Sequence, residues 1–256
     1  MTGIREPLAT DIAWPAFETL EEFTPDSDVL KQNSIVGFDG RDLRSRPFAL
    51  LRSQILRRVT RRQARVIGVT STTPAAGKSF VSVNLASALA RVSDAPVYLI
   101  DFDFRRGTVA SGLGIDFEIG LSDVLVNAQA DLSGVGRRIE GTNLAVYPTR
   151  MLEEGSSELL SADRFDHLVA GMRALPPETI VICDLPPVFA GDDAMITIEK
   201  LDGYILVVDS GRTTAQQVTR AIQTLEPMPC LGTILNRYRG GLIDTYGYNQ
   251  YYGEKY

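Results

Sequence analysis

The chain has 256 residues, of which 44% are hydrophobic and 23% charged, and a formal net charge of −6. That length suits one large α/β domain with its own core, and the acidic balance argues against a nucleic-acid binder. No run approaches the roughly 18 apolar residues of a membrane-crossing helix, and Met1–Pro15 lacks the basic and apolar regions of a signal peptide. The sequence therefore predicts a cytoplasmic chain whose link to a membrane runs through a partner.

Residues 1–40 carry Glu6, Asp11, Glu18, Glu21, Glu22, Asp26, Asp28 and Asp39 against only Arg5 and Lys31. Their apolar residues keep no period, which predicts an extended or partly disordered acidic arm. The sign reverses in residues 41–64, where Arg41, Arg44, Arg46, Arg52, Arg57, Arg58, Arg61 and Arg62 face a single acid, Asp42. Phe48, Leu51, Ile55 and Val59 are spaced for an amphipathic helix with a basic face. That face is either solvated or a docking surface for another subunit or anionic lipid headgroups.

Residues 65–237 alternate between two kinds of segment. Nearly continuous apolar runs at Val66–Ser71, Val97–Asp103, Leu144–Tyr147, Ile180–Leu185, Tyr204–Asp209 and Leu231–Asn236 read as strands buried on both faces. Lys78–Arg91, Arg164–Leu175 and Thr214–Leu225 read as helices between them. The alternation predicts an α/β fold with a doubly wound, mostly parallel sheet. Cys183 and Cys230 sit in apolar runs and read as reduced, buried thiols, and His167, the only histidine, falls in a helix. Residues 238–256, rich in glycine and tyrosine without period, read as a flexible tail.

The first strand runs into Ser71-Thr72-Thr73-Pro74-Ala75-Ala76-Gly77-Lys78-Ser79, followed by a helix that opens at Phe80. Strand, tight loop, Gly-Lys-Ser and helix is an arrangement that binds phosphate. Backbone N–H groups point at the anion, Lys78 reaches the β- and γ-phosphates, and the Ser79 hydroxyl suits Mg²⁺. Thr73 to Phe80 are thus the candidate residues for ATP. The second strand ends in Asp101-Phe102-Asp103-Phe104-Arg105, with two carboxylates at i and i+2 on one face. Such a pair suits the water shell of Mg²⁺ and proton acceptance. A third apolar run ends at Asp184, before Pro186 and Pro187, a Walker-B-type element.

These motifs in this order, with the tyrosine-rich C-terminus, resemble the bacterial tyrosine kinases (BY-kinases) of capsule and exopolysaccharide synthesis. Gly120–Leu125, Ser157–Leu160 and Leu235-Asn236-Arg237 are similar to further pieces of that family. The resemblance covers roughly residues 45–256 and implies a P-loop NTPase of the ParA/MinD-like type. It implies Lys78 and Ser79 on ATP and Mg²⁺, Asp103 and Asp184 on the metal's water shell, and Asp101 as acceptor of the tyrosine proton. Arg105, Asn236 and Arg237 join the nucleotide site by the same resemblance, Arg105 through phosphate or a neighbouring subunit. Tyr246, Tyr248, Tyr251, Tyr252 and Tyr256 become the phosphoacceptors. The family further implies a homo-oligomer, a membrane-embedded polysaccharide co-polymerase that activates the kinase, and a phosphotyrosine phosphatase; it implies no nucleic acid. Two departures stand out: Ala76 replaces a glutamate, and Arg46–Arg52 keeps only Arg52 of an oligomerisation motif Glu-x-x-Arg-x-x-Arg. A ParA/MinD-like ATPase is one alternative, although its signature lysine aligns with Thr73. A non-catalytic nucleotide-binding regulator of a membrane complex is the other.

Overall fold

The computed structural model describes residues 12–62 and 64–238. In chain order they form β1 (Glu21–Phe23), α1 (Ser27–Gln32), α2 (Arg46–Arg62), β2 (Val66–Ser71), α3 (Lys78–Ala90) and β3 (Val97–Asp101). There follow α4 (Val109–Leu113), α5 (Leu121–Val126), β4 (Arg137–Ile139), β5 (Leu144–Tyr147), α6 (Ser156–Leu160) and α7 (Asp163–Arg173). β6 (Ile180–Asp184), α8 (Asp193–Ile198), β7 (Gly203–Asp209), α9 (Ala215–Thr224) and β8 (Cys230–Asn236) complete the fold.

The strands make one sheet in the order β1-β4-β5-β3-β6-β2-β7-β8. The neighbouring pairs run parallel except β4 with β5. β2, β3, β5 and β6 are buried along their whole length, as their unbroken apolar runs require once both faces are covered. Alternate side chains serve opposite faces. Ile67, Val69, Leu99 and Ile182 meet α2, α3 and α4, whereas Val66, Tyr98, Ile100 and Cys183 meet α7, α8 and α9. The sheet is therefore doubly wound. Its central register sets Val69 and Asp101 each opposite Asp184, which brings the ends of β2, β3 and β6 to one rim.

The acidic arm differs from the expectation of an extended, partly disordered segment: residues 12–40 are folded onto the domain. β1 pairs parallel with β4, and Glu21 and Glu22 bridge Arg137 and Arg138 across that edge. Trp14 donates its indole N–H to Leu168 O (3.0 Å) and lays its ring against Tyr147 and Tyr98, at centroid distances of 4.6 and 6.0 Å. Farther along, Val36 and Gly37 donate their N–H groups to the Asn84 side chain of α3, at 2.7 and 2.9 Å. The approach is close enough that a Cβ on Gly37 would lie 2.3 Å from Asn84 O. Ile12, Leu20, Ile35 and Val36 are buried, each in its own place along the path. Anchors that do not share a helix or strand face leave no period in a sequence, which is why the packing was not visible there. Met1–Asp11 lie outside the described residues, as does the tail from residue 239.

In the basic span, α2 turns Ile55 inward and sets Phe48 edge-on to Phe80 of α3, with centroids 5.7 Å apart. Arg52 donates to Ala88 O (3.3 Å), so this one match to the family's oligomerisation motif lies against its own domain. Burial, and then the charge of Arg91, lowers the Arg52 pKa from its ordinary value.

The Trp14 anchor predicts that Trp14→Ala lowers stability by about 2–3 kcal/mol, somewhat less than truncation of a fully buried tryptophan. Urea unfolding checks this. An unchanged midpoint would mean that the arm does not brace the sheet.

Candidate active site

The loop between β2 and α3 is held in its shape from the β8 edge of the sheet. Asn236, the last residue of β8, donates its side-chain N–H to Ala76 O (2.8 Å), and Arg237 donates to Ala75 O (2.8 Å) and to Asp209 Oδ2 (2.8 Å). Gly77, at φ +89°, has no room for a side chain: a Cβ there would lie 2.2 Å from Asn236 Nδ2. Only glycine combines that left-handed backbone with so close an approach. Ser71 Oγ donates to Thr73 O (2.8 Å) and fixes the loop's entry. α3 then starts at Lys78, with its N-terminus at the loop.

Lys78, Ser79, Asp103 and Asp184 converge at the mouth of this loop. Lys78 Nζ lies 2.7 Å from Asp103 Oδ2 and 3.5 Å from Asp184 Oδ2. Ser79 Oγ donates to Asp184 Oδ2 (2.5 Å), and Ser82 Oγ donates to Asp184 Oδ1 (2.9 Å). All three charged side chains are buried. Burial works against the Lys78 ammonium, but the charges of Asp184 and Asp103 outweigh it and hold the Lys78 pKa above its ordinary value. Burial pushes the Asp184 carboxyl upward, against the pull of Lys78 and the Ser79 and Ser82 hydroxyls.

Asp101 adjoins this group at the end of β3. Its oxygens accept from the backbone N–H groups of Asp103 and Val109, both at 3.1 Å, so it shapes the turn that carries Asp103. Burial first, and the charge of Asp184 second, push its pKa up to about 8; Lys78 and the two N–H groups oppose them. Several buried carboxylates beside one ammonium cannot all stay charged without further cation. The arrangement thus fits Mg²⁺: Lys78 fills a cation's place between Asp103 and Asp184, and Ser79 adds a hydroxyl oxygen. Among the described residues no three His, Cys, Asp or Glu side chains close around a point as a metal cage. Mg²⁺ suits such a place because it keeps several of its waters.

Other candidate residues are placed differently. Arg105 pairs with Asp193, Nε to Oδ2 at 2.9 Å, and also donates to Ser156 Oγ (3.1 Å). Its side-chain hydrogen bonds within the chain go to the starts of α6 and α8 and not to the Lys78 group. The Phe80 ring, a candidate for the nucleotide, packs on Phe48. Pro74 and Ala75 are exposed on the loop's outer side. Asn236 and Arg237 reach the loop's carbonyls. Tyr246, Tyr248, Tyr251, Tyr252 and Tyr256 lie outside the described residues. Sequence reasoning missed Asp193 and Asp209, since neither belongs to a motif. It also missed Asn84, whose signal was a lone amide in the small, apolar helix α3.

This phosphate loop on a doubly wound sheet defines a P-loop nucleotide-binding protein, and the CobQ/CobB/MinD/ParA nucleotide binding domain matches residues 67–251. Within that class, the chain is 30% identical over 231 residues to tyrosine-protein kinase YwqD of Bacillus subtilis (strain 168), covering 88% of this chain and 93% of that one. It is 29% identical over 214 residues to tyrosine-protein kinase Wzc of Salmonella typhimurium (strain LT2), covering 82% of this chain but only 29% of that longer protein. The solved kinase domain of Escherichia coli tyrosine kinase ETK superposes with a TM-score of 0.74 at 27% identity, over 86% of this chain and 89% of that one. The chain belongs to the bacterial tyrosine-protein kinases.

The raised Asp101 pKa carries a stability prediction. Folded Asp101, with a pKa of about 8, keeps a proton that an unfolded aspartate, at about 3.9, gives up. Between about pH 4 and 8 the folded state binds more protons, so the stability of the nucleotide-free protein falls as pH rises through that window. Asp101→Asn cannot ionise and should flatten this part of the profile, as read from urea midpoints at pH 5, 6, 7 and 8. Identical slopes for the two proteins would contradict it.

Proposed function

We propose that the chain transfers the γ-phosphoryl group of ATP to tyrosines of its own C-terminal segment, and so acts as a tyrosine autokinase. The observation that carries this is the convergence of Lys78, Ser79, Asp103 and Asp184 on the phosphate loop, with Asp101 beside them. ATP with Mg²⁺ supplies the transferable group and the charge that neutralises it. The chain's task is positioning and charge compensation, which is most of what phosphoryl transfer asks of a protein. The loop's backbone N–H groups and Lys78 hold the phosphates. Ser79, Asp103 and Asp184 hold the metal and its waters. With the further cation that Mg²⁺ would supply, Asp101 can ionise, and ionised Asp101 takes the phenol proton, since a phenol of pKa about 10 must lose it as the new bond forms.

The C-terminal segment departs from the right place. Asn236 and Arg237 touch the phosphate loop, so Tyr238 ends the described chain next to the site. Tyr246 lies eight residues farther on, within a covalent reach of at most about 28 Å. A segment so tethered presents its tyrosines at high effective concentration, to its own site or to that of a neighbouring subunit. We assign the transfer to neighbouring subunits of a homo-oligomer.

In the cell the cycle would regulate polysaccharide polymerisation or export, with a membrane-embedded co-polymerase as activator and a phosphotyrosine phosphatase as the opposing enzyme. No helix among the described residues is long and apolar enough to cross a membrane. Each phosphate adds about −1.5 to −2 of charge, and several on one segment would repel one another and loosen the assembly.

Purified protein incubated with Mg-ATP should gain phosphotyrosine. Lys78→Met should lose it almost entirely, and replacement of Tyr246, Tyr248, Tyr251, Tyr252 and Tyr256 by Phe should abolish it while ATP binding stays. Phosphotyrosine detection by antibody and mass spectrometry checks this. ATP hydrolysis without phosphotyrosine, with the membrane partner present, would favour an ATPase instead.

A further inference from the structure

Outside the phosphate site, Asp193, the first residue of α8, is a buried carboxylate with several donors. It is 2% exposed. Its carboxylate accepts from Arg105 Nε (2.9 Å) and Nη2 (3.2 Å), from Ser156 Oγ (2.8 Å) and from Ser157 Oγ (2.6 Å). Burial would raise its pKa, but the donors Ser157, Arg105 and Ser156 outweigh burial and leave it below the ordinary carboxylate range. It stays an anion held by Arg105 and Ser156, while Ser157 Oγ, with its single proton, lies as close to Asp192 Oδ1 (2.6 Å) as to Asp193.

These groups come from separate segments of the chain: the turn after β3 and the starts of α6 and α8. Arg105 belongs to the turn after β3. Ser156 and Ser157 open α6, after the loop that follows β5. Asp193 itself follows the loop that leaves β6 at Asp184. The turn after β3 matters most. Arg105 stands between Asp103 and Arg106, and the Arg106 N–H donates to Asp103 Oδ1 (3.0 Å) and to Asp103 O (3.1 Å). The backbone group that orients the Asp103 carboxylate is thus next in sequence to the residue that Asp193 grips. Gly191 leaves the space for this grip, since a Cβ there would lie 3.2 Å from an Arg105 Nη2 nitrogen.

We propose that Asp193 is a positioning residue for the metal side of the site: by clamping Arg105 it holds the Asp103 turn at a fixed distance from the Asp184 loop. The inference rests on the assignment of Asp103 and Asp184 to Mg²⁺ and its waters. It goes beyond that assignment by naming an electrostatic clamp outside the motifs. Neutralising the clamp leaves the phosphate loop and Lys78 in place, so nucleotide affinity without metal is kept and the gain from metal is reduced.

The test titrates a fluorescent ATP analogue against the full chain, with EDTA and across a Mg²⁺ series. Asp193→Asn should raise the Mg²⁺ needed for half-maximal enhancement about tenfold, the scale of outer-shell effects at metal sites. Affinity in EDTA should stay within twofold of wild type. Arg105→Gln, at a half-exposed side chain, should reproduce the shift and serves if Asp193→Asn does not fold. The double variant should add nothing further, because both changes break the same ion pair. An unchanged Mg²⁺ profile, or equal loss of affinity with and without Mg²⁺, would overturn the clamp. The readout needs no phosphotyrosine. A wild type that shows Mg²⁺-enhanced binding without autophosphorylation would sink the kinase reading alone.

Discussion

One ammonium group, Lys78, sits among the carboxylates that β3 and β6 bring to the rim, and the site depends on that imbalance. Removing one partner from a buried ion pair costs roughly 3–5 kcal/mol, because the charge left behind is desolvated and unmatched. Here acid outnumbers base, so burial raises the pKa values of Asp101 and Asp184 while Lys78 is held protonated. The surplus of negative charge is what a divalent cation relieves. Phosphates offer Lys78 a second set of anions. The buried carboxylates and Lys78 are thus the charges that a metal–nucleotide complex would satisfy.

The rest of the fold keeps those charges in register. β6 stands between β2 and β3, so Asp184 sits opposite both Val69 and Asp101 in the strand pairings. The phosphate loop is braced from β8 through Asn236 and Arg237, and the turn carrying Asp103 is braced through Arg105 and Asp193. The first brace ends where the tyrosine-rich segment begins. The same residues that shape the nucleotide loop therefore launch the proposed substrate.

The central strands were legible because continuous apolar runs have one economical solution, burial on both faces of a parallel sheet. The site was legible for a related reason: Lys78, Asp101 and Asp184 each follow such a run, and a parallel sheet collects strand ends at one rim. What stayed hidden depends on contacts without a local pattern. β1 and β4 are three residues each, Glu-Glu-Phe and Arg-Arg-Ile, and their charges speak against a strand until the pairing shows glutamate beside arginine. The arm anchors through Trp14, Leu20 and Val36 one at a time. Arg105 follows the Asp pair, but its partner within the chain, Asp193, lies 88 residues away and in no motif.

A crystal structure of the protein with Mg²⁺ and a non-hydrolysable ATP analogue tests the central claim most directly. Lys78 should have left Asp103 for the phosphates, with the metal at Ser79 and, through its waters, at Asp103 and Asp184. Nucleotide bound while Lys78 remains paired to Asp103, or metal seated away from these carboxylates, would contradict the account.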